Sequence, residues 1–236
     1  MSEECIFCGK PYQQVRYEVC GQVRSMLQPA CNCEEQEAEK QRQAEERARK
    51  LARVAALNLP PIFAPWWLKN LECEHAADAQ IYVEGFRPRQ SKGLFLSGTN
   101  GNGKSTLAAV ICKELAYRGR RVLFTTMTEM LDRMEQGVGG NRAAQARRIL
   151  SDLLAYDFIV FDDYGRENYT PVRLQNVFQI VDKLYTHQVV FAITTNPECI
   201  SRIANIPEMA AINDRIGQVL TRWDFTGGSF RKKKQN

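Results

Sequence analysis

The segment Gly98-Thr-Asn-Gly-Asn-Gly-Lys104-Ser105 restricts the local fold more than any other stretch of the chain. Before it, Gly93-Leu-Phe-Leu-Ser97 reads as an apolar strand. After it, Lys104–Arg118 places Leu107, Ile111 and Leu115 on one helix face, and Gly119 ends the helix. A strand must therefore become a helix through a loop whose glycines let the backbone approach another group closely. N–H groups of such a loop converge on an anion, and the helix N-terminus adds about half a positive charge. In this setting the spacing predicts a nucleoside triphosphate cradle built from Gly98, Thr99, Asn100, Gly101, Asn102, Gly103, Lys104, Ser105 and Thr106. Lys104 would reach the β- and γ-phosphates and the Ser105 hydroxyl would hold Mg²⁺.

The region from residue 91 onward alternates strand and helix patterns. Val122–Thr125 reads as a strand, Thr126-x-x-Glu129 as a capping box opening a helix through Met134, and residues 136–141 as a Gly-rich break. Helices near 142–154 and 172–186 then alternate with the apolar strands Phe158–Phe161 and Val189–Ile193. This order predicts a parallel sheet with helices on both faces. Asp162 and Asp163 follow the third of these strands, where a magnesium site needs a carboxylate. Asp162 is expected on the Mg²⁺ side, and Asp163 is expected to polarise the attacking water. Thr194-Thr195-Asn196 ends another strand, where Asn196 could hold a water at the γ-phosphate or simply turn the chain before Pro197. No Asn-Lys-x-Asp quartet is present to read guanine, which favours ATP.

The first third of the chain differs in character. Cys5-x-x-Cys8 and Cys31-x-Cys33 are close pairs separated by a loop, a spacing suited to tetrahedral Zn²⁺; Cys20 could replace one ligand. A redox Cys-x-x-Cys would instead open a helix of an α/β fold. Cys73, Cys112 and Cys199 are scattered and suit packing. Residues 34–57 contain neither Gly nor Pro and run from acidic to basic, complementing a helix dipole, with Glu45–Arg49 and Glu46–Lys50 at i,i+4. They read as an exposed spacer helix, stopped by Pro60-Pro61. The aromatic stretch with Phe63, Trp66 and Trp67 is expected to pack onto the following domain, with a partner patch as the alternative. A division into 1–57 and 58–236 follows. The chain lacks an apolar run of membrane-spanning length and a secretory leader pattern, so a cytoplasmic location is expected. Its net charge of +5 is mild, but the last six residues, RKKKQN, carry four cations suited to solvent or to phosphate backbones.

The series GTNGNGKST, FIVFDDYGRE, ITTNP and NDRIGQVLTRWDFTGGSFRKK, over about residues 60–236, resembles the bacterial and phage replicative-helicase loaders of the DnaC/DnaI type. These are AAA+ ATPases related to transposition ATPases of the IstB type. The resemblance implies a five-stranded AAA+ core without a separate helical lid, homo-oligomers joined through the ATP site, and ATP/ADP as the switch. It also implies a zinc-bearing N-terminus that grips the replicative DNA helicase, which is delivered onto single-stranded DNA. Arg215 matches the arginine finger that reaches a neighbour's ATP, with Arg222 as a competitor, and Arg231 matches the sensor arginine. Arg133, Arg142, Arg147 and Arg148 fall where the family contacts single-stranded DNA. Asp163 stands where most AAA+ ATPases carry Glu, which implies slow turnover. Two alternatives remain open at this point: a transposition ATPase on duplex DNA, and an adaptor that binds ATP without hydrolysing it.

Overall fold

The central strands are apolar on both sides, and strict alternation sends neighbouring residues into different layers. In the computed structural model, which describes residues 4–136 and 141–228, the strands β3 (Gly93–Gly98), β5 (Phe158–Asp162) and β6 (Val190–Thr195) form the middle of a sheet. Leu94, Leu96, Phe158, Val160, Val190 and Ala192 face one cluster; Ile159, Phe161, Phe191 and Ile193 face the other. A strand buried on both faces needs helices above and below it. The first layer is α2 (Ala76–Gly85) and α3 (Lys104–Tyr117). The second comprises α4 (Met127–Glu135), α5 (Arg142–Leu153), α6 (Pro171–Thr186) and α8 (Ala210–Val219).

The sheet has five strands in the order β4-β5-β6-β3-β7, all parallel, with β4 (Val122–Thr126) and β7 (Leu220–Phe225) at the edges. This confirms the expected five-stranded α/β core. β7 was not legible as a strand, because Thr221, Arg222 and Asp224 interrupt its apolar residues at an edge that faces solvent. α7 (Pro197–Ala204) follows β6, and among the described residues β7 is the last element. The capping box at Thr126 and Glu129 forms in both directions.

The chain divides into two compact units between Ala52 and Arg53. The first contains the antiparallel hairpin β1 (Tyr12–Val19) and β2 (Gln22–Pro29), which no apolar alternation in the sequence marks. The helix α1 (Cys33–Ala55) follows, without a buried residue, as a spacer pattern requires. Glu46 pairs with Lys50 at 2.6 Å, whereas Glu45 and Arg49 form no ion pair among the described residues. In the second unit the aromatic stretch packs inward. Phe63 is buried edge-on to Phe124, and Trp67 lies edge-on to Tyr117. Cys112 and Cys199 are buried and Cys73 is half-buried, in keeping with packing roles. The Gly-rich break expected at 136–141 falls mostly outside the described residues. No helix among those described is long and apolar enough to cross a membrane.

Candidate nucleotide site

The carboxyl ends of β3, β5 and β6 meet at one edge of the sheet, and the chemistry gathers there. β3 runs into the loop at Gly98, where a Cβ would sit 2.4 Å from Phe225 O, so only glycine fits. Gly103, at φ 99°, caps α3, a conformation that disfavours other residues. Lys104 is buried, and its Nζ donates to Gly98 O and Thr99 O at 2.7 Å and to Asn102 Oδ1 at 3.0 Å. Ser105 and Thr106 follow in the first turn of α3.

Asp162 ends β5 facing this loop. The Thr194 hydroxyl donates to its Oδ1 at 2.5 Å, and the Ser105 hydroxyl also bonds it. Burial raises the Asp162 pKa, while the two hydroxyls pull it back. A hydroxyl and a carboxylate side by side beneath a phosphate loop could together hold a hydrated divalent cation. Asp163 has φ 55°, and its N–H donates to Thr194 Oγ1 at 2.9 Å. Its carboxylate, about half exposed, pairs with Arg166 at 3.5 Å. Arg166 in turn donates to Asn100 Oδ1 at 3.3 Å.

Asn196 turns the chain into α7 beside the phosphate loop. Its Oδ1 accepts from Cys199 N at 2.8 Å, capping α7, while its Nδ2 reaches Asn100 Oδ1 at 3.5 Å. Lys104, Ser105, Asp162, Asp163 and Asn196 are thus brought together. Arg215 is not among them: on α8 it pairs with Asp182 at 3.1 Å and lies over the Phe178 ring. Arg222 is nearer the loop, since its Nη2 reaches Ser97 Oγ at 3.5 Å, and it pairs with Asp224. Arg231 lies outside the described residues.

Residues 36–236 match the family described as IstB-like ATP binding proteins. The chain belongs to that family.

Among relatives of this IstB-like protein is the replicative helicase loader DnaC of Escherichia coli K12, 29% identical over 162 residues. The match covers 66% of this chain and 65% of DnaC, so the chain spans just under two thirds of that relative's length. Two solved structures share the fold. The DnaC helicase loader has a TM-score of 0.60 at 19% identity, covering 71% of this chain and 100% of that one. DnaI has a TM-score of 0.61 at 21% identity, covering 75% and 98%.

One residue of this IstB-like site, Glu167, becomes evident only in the structure. Glu167 is buried and accepts from Gly165 N at 2.8 Å and from the Tyr169 hydroxyl at 2.6 Å, bracing the turn that carries Asp163 and Arg166. Burial raises its pKa. The spacing Asp-Asp-x-Gly-x-Glu was the available signal; an acid after a turn looks like surface until its burial is known.

The first unit gathers a separate cluster. The ligand atoms of Cys5, Cys8, Cys31 and Cys33 all lie within 4.8 Å of one another. Four sulfurs at about 2.3 Å from a tetrahedral Zn²⁺ stand about 3.8 Å apart, so the set fits a zinc ion. The turn is closed by Cys5 N to Lys10 O and Gly9 N to Cys5 O, both 2.8 Å. Cys20 is excluded as a ligand. It occupies the hairpin turn with Gly21, both at positive φ, about 25 Å of strand away from the cluster.

Proposed function

We propose that the chain is an ATP-switched loader of a replicative helicase. The observation that carries this is the convergence of Lys104, Ser105, Asp162, Asp163 and Asn196 at one sheet edge, in a chain whose relatives include DnaC. Lys104 and the loop amides bind the triphosphate, Ser105 and Asp162 hold Mg²⁺, and Asp163 and Asn196 orient the water. Hydrolysis is slow, since the Asp163 carboxylate is short and paired with Arg166. Arg215 of one copy acts on the ATP of the next, with Arg222 as its competitor and Arg231 as the sensor, so the assembly is a homo-oligomer. Residues 1–57 form a module in which Cys5, Cys8, Cys31 and Cys33 bind Zn²⁺ and which grips the helicase; residues 58–236 form the ATPase. Arg133, Arg142, Arg147 and Arg148 are exposed on α4 and α5 and hold the phosphates of single-stranded DNA in the ATP-bound form.

ATP turnover by the full chain, with and without single-stranded DNA, tests this beside Lys104→Ala and helicase capture on a column. The expected result is slow, DNA-stimulated turnover lost in Lys104→Ala, with helicase retained. Stimulation by duplex DNA without helicase capture would favour a transposition ATPase. Binding of ATP without turnover under any condition would make the protein an adaptor.

A further inference from the structure

The nucleotide loop leans on residues remote from it in sequence. Phe225, at the end of β7, accepts at its carbonyl from Asn102 Nδ2 at 3.1 Å, and Asn102 Oδ1 accepts from Lys104 Nζ at 3.0 Å. Successive carbonyls of a strand point to opposite edges, so Asp224 O points away from β3. There it meets His75 Nε2 at 3.1 Å, while His75 Nδ1 meets Asp78 Oδ2 at 2.8 Å. A carbonyl and a carboxylate offer only lone pairs, and a neutral imidazole has one N–H to give. The ring can serve both partners only as the imidazolium.

Its surroundings suit that charge. The His75 ring stacks on Trp223 at 5.4 Å and 15°, with Phe225 edge-on at 5.2 Å. The charged groups facing it are Glu74 and Asp78 at the opening of α2, whereas Asp224 offers it only the backbone carbonyl, its carboxylate pairing with Arg222 at 2.8 Å. Glu74 accepts from Thr226 N at 2.8 Å, Thr226 Oγ1 at 2.9 Å and Gly227 N at 3.1 Å, so the residue next to His75 also grips the chain leaving β7. Burial alone would lower the His75 pKa; the bonds to Asp224 O and Asp78 and the charges of Asp78 and Glu74 outweigh it and raise the value.

We propose that His75, as the imidazolium, is a positioning residue of the nucleotide site, acting on Lys104 through the end of β7 and Asn102, and that it makes nucleotide affinity pH-dependent. The proposal rests on the ATP-site reading above. The sign follows from the shift: the charged form is complete on the acid side, and the clasp is lost as pH rises through the folded-state value. Once the proton leaves, the remaining N–H stays with the stronger acceptor, the Asp78 carboxylate, so Asp224 O loses its donor and the outer edge of β7 is freed.

Binding of a fluorescent ATP analogue with Mg²⁺ to the full chain, from about pH 6 to about pH 8.5, tests this in wild type, His75→Gln and Lys104→Ala. The ratio of wild-type to His75→Gln affinity removes the titration of the nucleotide itself. That ratio should be about tenfold at the acid end, the worth of one charge-assisted hydrogen bond, and should approach one at the alkaline end. Imidazole resonances can be followed in a His187→Gln background, because the chain has only two histidines. The His75 signal should titrate above the ordinary imidazole value. Asp78→Asn, the second variant should His75→Gln not fold, should move the midpoint to lower pH. A ratio independent of pH, or a His75 signal titrating at or below the ordinary value, would overturn the proposal. If wild type binds no nucleotide at any pH and Lys104→Ala is no different, the ATP site itself is refuted.

Discussion

A lysine drawn into a wall of carbonyls behaves unlike the surface residue its type suggests. Lys113, on α3, is 3% exposed; its Nζ donates to Ala64 O and Trp66 O at 2.7 Å and to Phe63 O at 3.2 Å, under the Trp67 ring. Burial pushes its pKa down, with Glu114 opposing. Lys113→Met keeps the length but leaves three carbonyls without their donor, and should cost about 2–4 kcal/mol in a urea melt. A loss below half a kcal/mol would show that water replaces it. Nothing in Cys112-Lys-Glu-Leu115 betrays this role, because the carbonyls belong to residues some fifty positions earlier. Lys104 differs: its partners Gly98, Thr99 and Asn102 lie within six residues, and its role could be read from spacing alone.

The same contrast holds among the elements. α4 begins where the capping box said it would: Thr126 Oγ1 accepts from Glu129 N at 3.0 Å, and Glu129 Oε2 accepts from Thr126 N at 3.2 Å. Thr126→Ala should cost about 1 kcal/mol, measured by thermal or urea unfolding. No change would mean that packing of Met127, Met130, Leu131 and Met134 holds the helix unaided. The β1–β2 hairpin is the opposite case. Its residues are almost all exposed, so no buried face imposed an apolar alternation on the sequence. Only the Cys20-Gly21 turn and the cysteines at its base mark it. β7 is illegible in the sequence for a related reason, since an edge strand beside a single neighbour needs fewer apolar residues.

For the molecule as a whole, two units imply two sources of stability. Residues 53–236 have a large apolar core, whereas Cys5 is the only buried hydrophobic residue among those described before position 53. So small a unit needs a staple, and a metal held by Cys5, Cys8, Cys31 and Cys33 would supply it. Calorimetry of the metal-loaded full chain should therefore show two transitions, with a strong chelator abolishing one and leaving the other unmoved. A chelator without effect on either would refute the metal site.

By itself the sequence determined the phosphate loop, the paired aspartates, the two-sided strands, the α4 cap and the cysteine set, because each depends on residues close together in the chain or on a period of two or 3.6. Tertiary structure alone decided the exclusion of Cys20, the joining of β7 to β3, the burial of Lys113 and Glu167, and the line from His75 to Lys104. These depend on partners far apart in sequence, whose meeting is set by how the strands order themselves in the sheet and leaves no periodic trace.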